Sequence, residues 1–207
     1  LRCERKVRNA LFNDSLRKWN VKDINGNVVI PYIVSGRLET PERTVIKTAM
    51  MRIESKTCIR FRSRINELDF IDIQNQRKKG CYTSVGRLVG RSVVMLEANQ
   101  DKTCIATEIV QHELLHVVGL WHEHMRYDTD KFVRVNYRNI RPGEASQFDI
   151  VEPWRSTVYN VLYDYQSVMH YGKSALARPG MITLQTLDPR YMVQSSQRSI
   201  SYFPTFC

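Results

Sequence analysis

The segment Cys104–Val118 contains neither glycine nor proline and carries apolar residues at Ile105, Ile109, Val110, Leu114, Val117 and Val118, a spacing that predicts a buried helix. His112 and His116 lie on that helix. Four residues apart, their imidazoles share one side about one turn from each other, the spacing at which two nitrogens reach a single ion. Glu113 follows the first histidine, rotated by about 100° around the axis, so that it misses direct coordination yet reaches a water on the same ion. Gly119 tolerates a left-handed backbone, ends the helix and turns the chain back. His122 then supplies a third nitrogen donor. The pattern H-E-x-x-H-x-x-G-x-x-H is expected by chance on the order of 10⁻⁵ times in a chain of this size, so it reads as a metal site rather than three unrelated histidines.

Around this segment the 207 residues suffice for one domain, or one domain in two lobes. Hydrophobic residues make up 43% and charged residues 25%, which disfavours disorder, collagen-like repeats and coiled coil. The longest apolar run, Val28–Val34, contains a proline and falls far short of the roughly 20 residues of a membrane span. Net charge is +10, with 20 basic and 9 acidic side chains in residues 1–91 and near balance beyond. These basic residues alternate with Glu42, Glu54, Glu67, Asp69 and Asp72, as on a solvated surface that attracts acidic partners; no nucleic-acid partner is expected. The chain opens on Leu1, without a methionine or an apolar leader, so it is expected to be a piece of a longer precursor.

Five cysteines stand at 3, 58, 81, 104 and 207, with no C-x-x-C pair and hence neither a zinc ribbon nor a thioredoxin-type motif. Arg5-Lys6-Val7-Arg8 matches the basic R-x-x-R sites cut along the secretory route, although such a tetrapeptide also arises by chance in an arginine-rich chain. A cut after Arg8 would remove Cys3 and leave four cysteines, enough for two disulfides in any of three connectivities. Asn13-Asp14-Ser15 is the single N-x-S match, consistent with secretion.

The rest of the chain shows no repeat, linker or boundary between independent domains. Asn27–Val34 is rich in β-branched residues and reads as a strand whose proline implies an edge or a bulge. Thr40 as cap and Pro41 as first helical residue open a helix with Val45, Ile46, Ala49, Met50 and Ile53 on its core face. Cys58–Arg62, Phe70–Gln74 and Ser92–Leu96 are short strand-like runs, giving a small sheet packed on helices. Past residue 123 irregular structure is expected.

His112–Glu123 (HELLHVVGLWHE) and Ser167–Gly172 (SVMHYG) together resemble the astacin family of secreted zinc endopeptidases within the metzincins, and nematode-type catalytic domains in particular. Val29-Ile30-Pro31-Tyr32, Gly80-Cys81-Tyr82, Val85-Gly86-Arg87, His122-Glu123-His124 and Asn136-Tyr137 extend the likeness over nearly the whole chain from about Asn9. The resemblance implies an α+β, zincin-like fold: an N-terminal lobe to about residue 122 with a twisted sheet and two long helices, an irregular C-terminal lobe over 123–207, and an active-site cleft between. Residues 1–8 would be the end of a propeptide, and 9–207 the peptidase domain.

It further implies one zinc ion per chain, held by His112, His116 and His122 with Tyr171 as an additional phenol ligand, Glu113 as general base and Met169 in a methionine turn beneath the metal. Zinc brings the pKa of a bound water to about 7, Glu113 takes its proton, and the hydroxide attacks a peptide carbonyl. Tyr171 then hydrogen-bonds the oxyanion, and the sheet edge, expected around Ser92–Leu96, binds substrate as an added strand. Processing of the zymogen after Arg8 would bring the ammonium of Asn9 beside Glu123. Cys81 pairs with Cys104 and Cys58 with Cys207 by the same likeness. Only Pro204-Thr205-Phe206 separate Phe203 from Cys207, a shorter ending than similar proteins have, so the alternative is a catalytically impaired zinc-binding module. The expected enzyme is a secreted, monomeric metalloendopeptidase acting on proteins, with a preference for an acidic residue just after the cut.

Overall fold

The structure, a computed structural model, describes residues 9–191. They divide into two compact units, one of residues 13–120 and one of residues 9–12 with 121–191.

In the first unit, strand β1 (Val28–Val34) leads into helix α1 (Thr40–Glu54), which returns the chain to β2 (Ile59–Ser63), parallel to β1. A parallel pair cannot be closed by a tight turn, and α1 supplies the crossover. β3 (Phe70–Gln74), β4 (Cys81–Thr83) and β5 (Arg91–Leu96) complete a five-stranded sheet of order β2-β1-β3-β5-β4. All neighbours run parallel except β4, which is antiparallel to β5. Helix α2 (Thr107–Val118) packs against α1, which buries Ile46, Ala49, Met50 and Ile53. Ile30, Ile71, Ile73, Val94 and Leu114 lose essentially all exposure to water in this core, each such side chain contributing roughly 1.5–3 kcal/mol to burial.

The second unit has little regular structure. Short 3₁₀ turns alternate with loops, and the one sheet among its described residues is the antiparallel pair β6 (Val133–Val135) and β7 (Leu184–Thr186). Its core is Val133, Ile140, Phe148, Tyr163 and Leu184, with Phe132, Tyr165 and Tyr171 packed against it. Residues 9–12 join this unit through an antiparallel bridge between Ala10 and Thr157, with N–H to O distances of 3.0 and 2.9 Å. Among the described residues no helix is long and apolar enough to cross a membrane.

Four local expectations change. Pro31 sits in an internal strand rather than at an edge. The Val28 N–H donates to Cys58 O at 2.9 Å, so the even-numbered N–H groups of β1 face β2, and Pro31 faces the other flank, where β3 pairs only from Tyr32 onward. Its missing donor therefore interrupts no ladder bond. α1 is capped by Glu39 instead of Thr40, because the Glu42 carboxylate accepts the Glu39 N–H at 2.6 Å and moves the boundary back by one residue. α2 begins at Thr107, not Cys104. Cys104 is bridged to Cys81 and its N–H is committed to Glu97 O at 2.6 Å, which keeps it extended. Finally, β5 lies between β3 and β4, so the edge on that side of the sheet is β4 and the run Ser92–Leu96 is internal.

Candidate metal centre

Helix α2 places the first two histidines. Val110, Leu114, Leu115, Val117 and Val118 are all buried, which fixes the rotation of the helix. Its C-terminal turn is held as firmly: Gly86 N–H donates to His116 O at 2.8 Å and the Trp19 indole N–H to Val117 O at 2.8 Å, satisfying carbonyls that a helix end leaves open. Gly119 adopts φ 119°, the left-handed cap expected from the motif.

Nε2 of His112 and Nε2 of His116 lie 3.1 Å apart. Two nitrogens each about 2.0–2.1 Å from one tetrahedral ion are separated by about 3.3 Å, so the pair is set for a shared cation. His116 Nδ1 contacts Leu120 O at 2.7 Å, and since a carbonyl only accepts, that nitrogen carries the proton and leaves Nε2 bare. Burial, reinforced by His112, lowers the pKa of His116 to about 3, which keeps its ring neutral and able to ligate. His122 completes the set: one ligand nitrogen from each of His112, His116 and His122 lies within 4.8 Å of the others, a group able to hold a metal ion.

Glu113 is buried, and its Oε2 has no hydrogen-bond partner among the described residues. Burial pushes its pKa up to about 8. An orphaned carboxylate oxygen next in sequence to a cluster of converging imidazoles fits a cation with a water beside it, and the donor set suits a borderline divalent ion.

In the second unit, Tyr171 packs its ring on His122 (centroids 4.5 Å apart) and His124 (4.1 Å), with Phe148 edge-on at 5.8 Å. Met169 is buried, and its carbonyl accepts the Glu123 N–H at 2.9 Å. The segment around Met169 is thus tied to the residue after the third histidine. Glu123 itself is buried, its Oε1 accepting from Arg126 Nη1 at 3.1 Å and from the Asp164 N–H at 3.0 Å. Asn9 lies beside this stretch: its carbonyl accepts the Trp121 N–H at 2.8 Å and its Nδ2 donates to His122 O at 2.5 Å. Cys81 and Cys104 form a disulfide. Arg8 and Cys207 lie outside the described residues.

Several residues around this centre were not singled out from sequence. Arg126 is completely buried, binds Asp128 through Nε (2.9 Å) and Nη2 (3.0 Å), and also reaches Glu123 and Val161 O. Burial opposes its charge, but Asp128 and Glu123 outweigh that and raise its pKa. His124 and His170 are buried as well. The available signal was their position: both stand next to motif residues, and Arg126 follows Glu123 by one helical turn.

The amino-acid sequence from residue 13 to residue 202 matches the profile of the peptidase family Astacin. The chain belongs to the astacin family. Among astacin relatives, zinc metalloproteinase nas-5 of Caenorhabditis elegans is 49% identical over 185 residues, covering 89% of this chain and 51% of the relative. High choriolytic enzyme 2 of Oryzias latipes is 40% identical over 75% of this chain and 53% of its own length. The chain thus spans about half the length of these curated relatives. A solved astacin structure, high choriolytic enzyme 1 of Oryzias latipes, a hatching enzyme zinc-protease, superposes with TM-score 0.81 at 36% identity, covering 92% of this chain and 93% of the other. Myroilysin, at 17% identity and TM-score 0.61, shares the fold.

Proposed function

We propose that this astacin domain is a zinc endopeptidase that hydrolyses peptide bonds in proteins outside the cell. The observation that carries the proposal is the convergence of three imidazole nitrogens within 4.8 Å of one another, with the Glu113 carboxylate, whose Oε2 has no hydrogen-bond partner among the described residues, next to them in the chain.

His112, His116 and His122 would hold the ion, with the Tyr171 phenol as a further donor. Zinc, when bound, supplies a Lewis acid that polarises a carbonyl and brings the ionisation of water near neutral pH. Glu113 accepts a proton from the attacking water and delivers it to the departing amine nitrogen, and its burial favours both uptake and release near neutral pH. Tyr171 donates its phenol hydrogen to the oxyanion of the tetrahedral intermediate. The edge strand β4 offers unpaired backbone groups to which an extended peptide adds as a further strand. The basic surplus in residues 1–91 favours acidic side chains near the scissile bond.

Activation follows from the surroundings of Asn9. This residue is bonded to Trp121 and His122, the two residues before Glu123, and cleavage after Arg8 would release an ammonium at Asn9 for the Glu123 carboxylate to pair with. Trimmed enzyme is therefore expected to hydrolyse peptides faster than the chain retaining residues 1–8.

The deciding test is hydrolysis of a quenched peptide library with and without a zinc chelator, beside Glu113→Ala. We expect chelation to abolish turnover reversibly and Glu113→Ala to lower kcat by about 10²–10⁴-fold with zinc content unchanged. Turnover that survives both would overturn the proposal.

A further inference from the structure

Two buried histidines are left over by the metal site, and one of them, His170, stands between two tyrosines. Its Nδ1 lies 2.6 Å from the Tyr171 carbonyl oxygen and its Nε2 lies 2.7 Å from the Tyr163 hydroxyl. The carbonyl only accepts, so Nδ1 carries the proton and donates. Thr129 Oγ1 donates to the Tyr163 oxygen at 3.4 Å, which leaves the Tyr163 hydrogen for Nε2. Every bond in this series points one way, from Thr129 through Tyr163 and His170 to the Tyr171 backbone.

The far end of the series is anchored in the core of the second unit. Tyr163 belongs to its buried cluster and stacks on Phe132 with centroids 4.6 Å apart and planes 13° from parallel. Arg126 lies against both rings of this pair, its guanidinium carbon 5.4 Å from the Tyr163 centroid and 5.9 Å from that of Phe132. At the near end, the direction of the Tyr171 carbonyl is fixed by the ψ angle of Tyr171 itself. Sideways displacement of the ring is already limited by His122, His124 and Phe148. What remains for the phenol is rotation about its own backbone and Cβ, the freedom that a bond to the carbonyl restrains.

We propose that His170 is the positioning residue of Tyr171, taking a hydrogen bond from Tyr163 and giving one to the Tyr171 carbonyl so that the Thr129–Tyr163–His170 series sets where the phenol sits. This rests on the reading of Tyr171 as a metal donor and oxyanion partner. His170 would act through Tyr171 and not on the reacting atoms themselves. Tyr163→Phe is the mildest interruption, since it keeps the stacked ring and removes one oxygen.

The test uses the full chain with Cu(II) in the metal site, because a phenol oxygen bound to Cu(II) gives a visible charge-transfer band that a packing role would not move. Tyr171→Phe must abolish the band; if it does not, Tyr171 is no metal donor, and the earlier reading falls together with this one. With that control in place, Tyr163→Phe is expected to weaken and shift the band. In the zinc enzyme it should lower kcat about tenfold at nearly constant KM, the order expected for one buried hydrogen bond. His170→Asn, which retains a donor for the carbonyl but lacks the acceptor for Tyr163, should behave alike, and the double variant should be no worse than His170→Asn. A Tyr163→Phe enzyme whose band superimposes on the wild type, when Tyr171→Phe has lost it, would overturn the proposal while leaving the ligand assignment intact.

Discussion

The two units hold their chemistry by different physics. In residues 13–120 the helix that carries His112 and His116 is placed by periodic apolar contacts, and polar groups serve mainly to finish its ends. In residues 121–191 there is hardly any periodicity, and the segments around Glu123 and Tyr171 are placed by buried polar bonds converging on Arg126, Glu123, Tyr163 and His170. A side chain on a regular element inherits its position from many weak contacts, each of which can be lost at modest cost. One on an irregular segment depends on a few bonds that must all be present.

The sharpest way to break this comparison is Arg126→Met. It leaves Glu123 and Asp128 without their cation in a buried setting, and we expect a loss of about 3–5 kcal/mol of stability by urea unfolding, with the change in near-ultraviolet aromatic signal preceding the loss of helix signal. A cost typical of surface pairs, about 0–1 kcal/mol, would show that packing rather than polar bonding holds the second unit.

Removing the Cys81–Cys104 disulfide by paired serine substitutions tests the first unit. The bridge spans 23 residues, for which the loop-entropy relation gives about 3 kcal/mol. The loss should fall on global stability while zinc content stays at the wild-type level. Loss of zinc at full stability would mean that the bridge, not the apolar face, aligns α2.

A smaller effect concerns the loop just before β4. The buried Glu97 carboxylate accepts the Lys78 N–H at 2.7 Å, the Gly80 N–H at 2.8 Å and Asn99 Nδ2 at 2.7 Å. Those backbone bonds, the Lys78 one foremost, lower its pKa. A depressed folded pKa means that its contribution is complete above the unfolded value of about 4.3 and disappears as the pH falls through the lower folded value. Urea unfolding at a series of pH values should therefore show wild type and Glu97→Gln converging in stability only below about pH 4.3. A constant difference down to about pH 3 would mean that the carboxylate charge plays no part.

How much could be read in advance follows the same division. Helix α2, its glycine cap and the spacing of the three histidines were visible because a 3.6-residue repeat and a left-handed glycine leave a direct trace in residue order. Pro31 misled because whether a strand lies at an edge depends on partners distant in sequence. The start of α2 was misplaced by three residues because Cys104 is drawn into the β4 region by Cys81, a long-range bond that local propensity does not register.

Residue order alone, then, determined helix α2, its polarity and the spacing of the three histidines able to hold a metal ion, since these depend on neighbours within one or two turns. Tertiary structure alone decided that β4 and not β5 forms the open edge, that Arg126 is buried between two carboxylates, and that His170 bridges Tyr163 to the Tyr171 backbone. Each of these joins residues through space, by strand order or by a hydrogen bond whose direction exists only once both partners are in place.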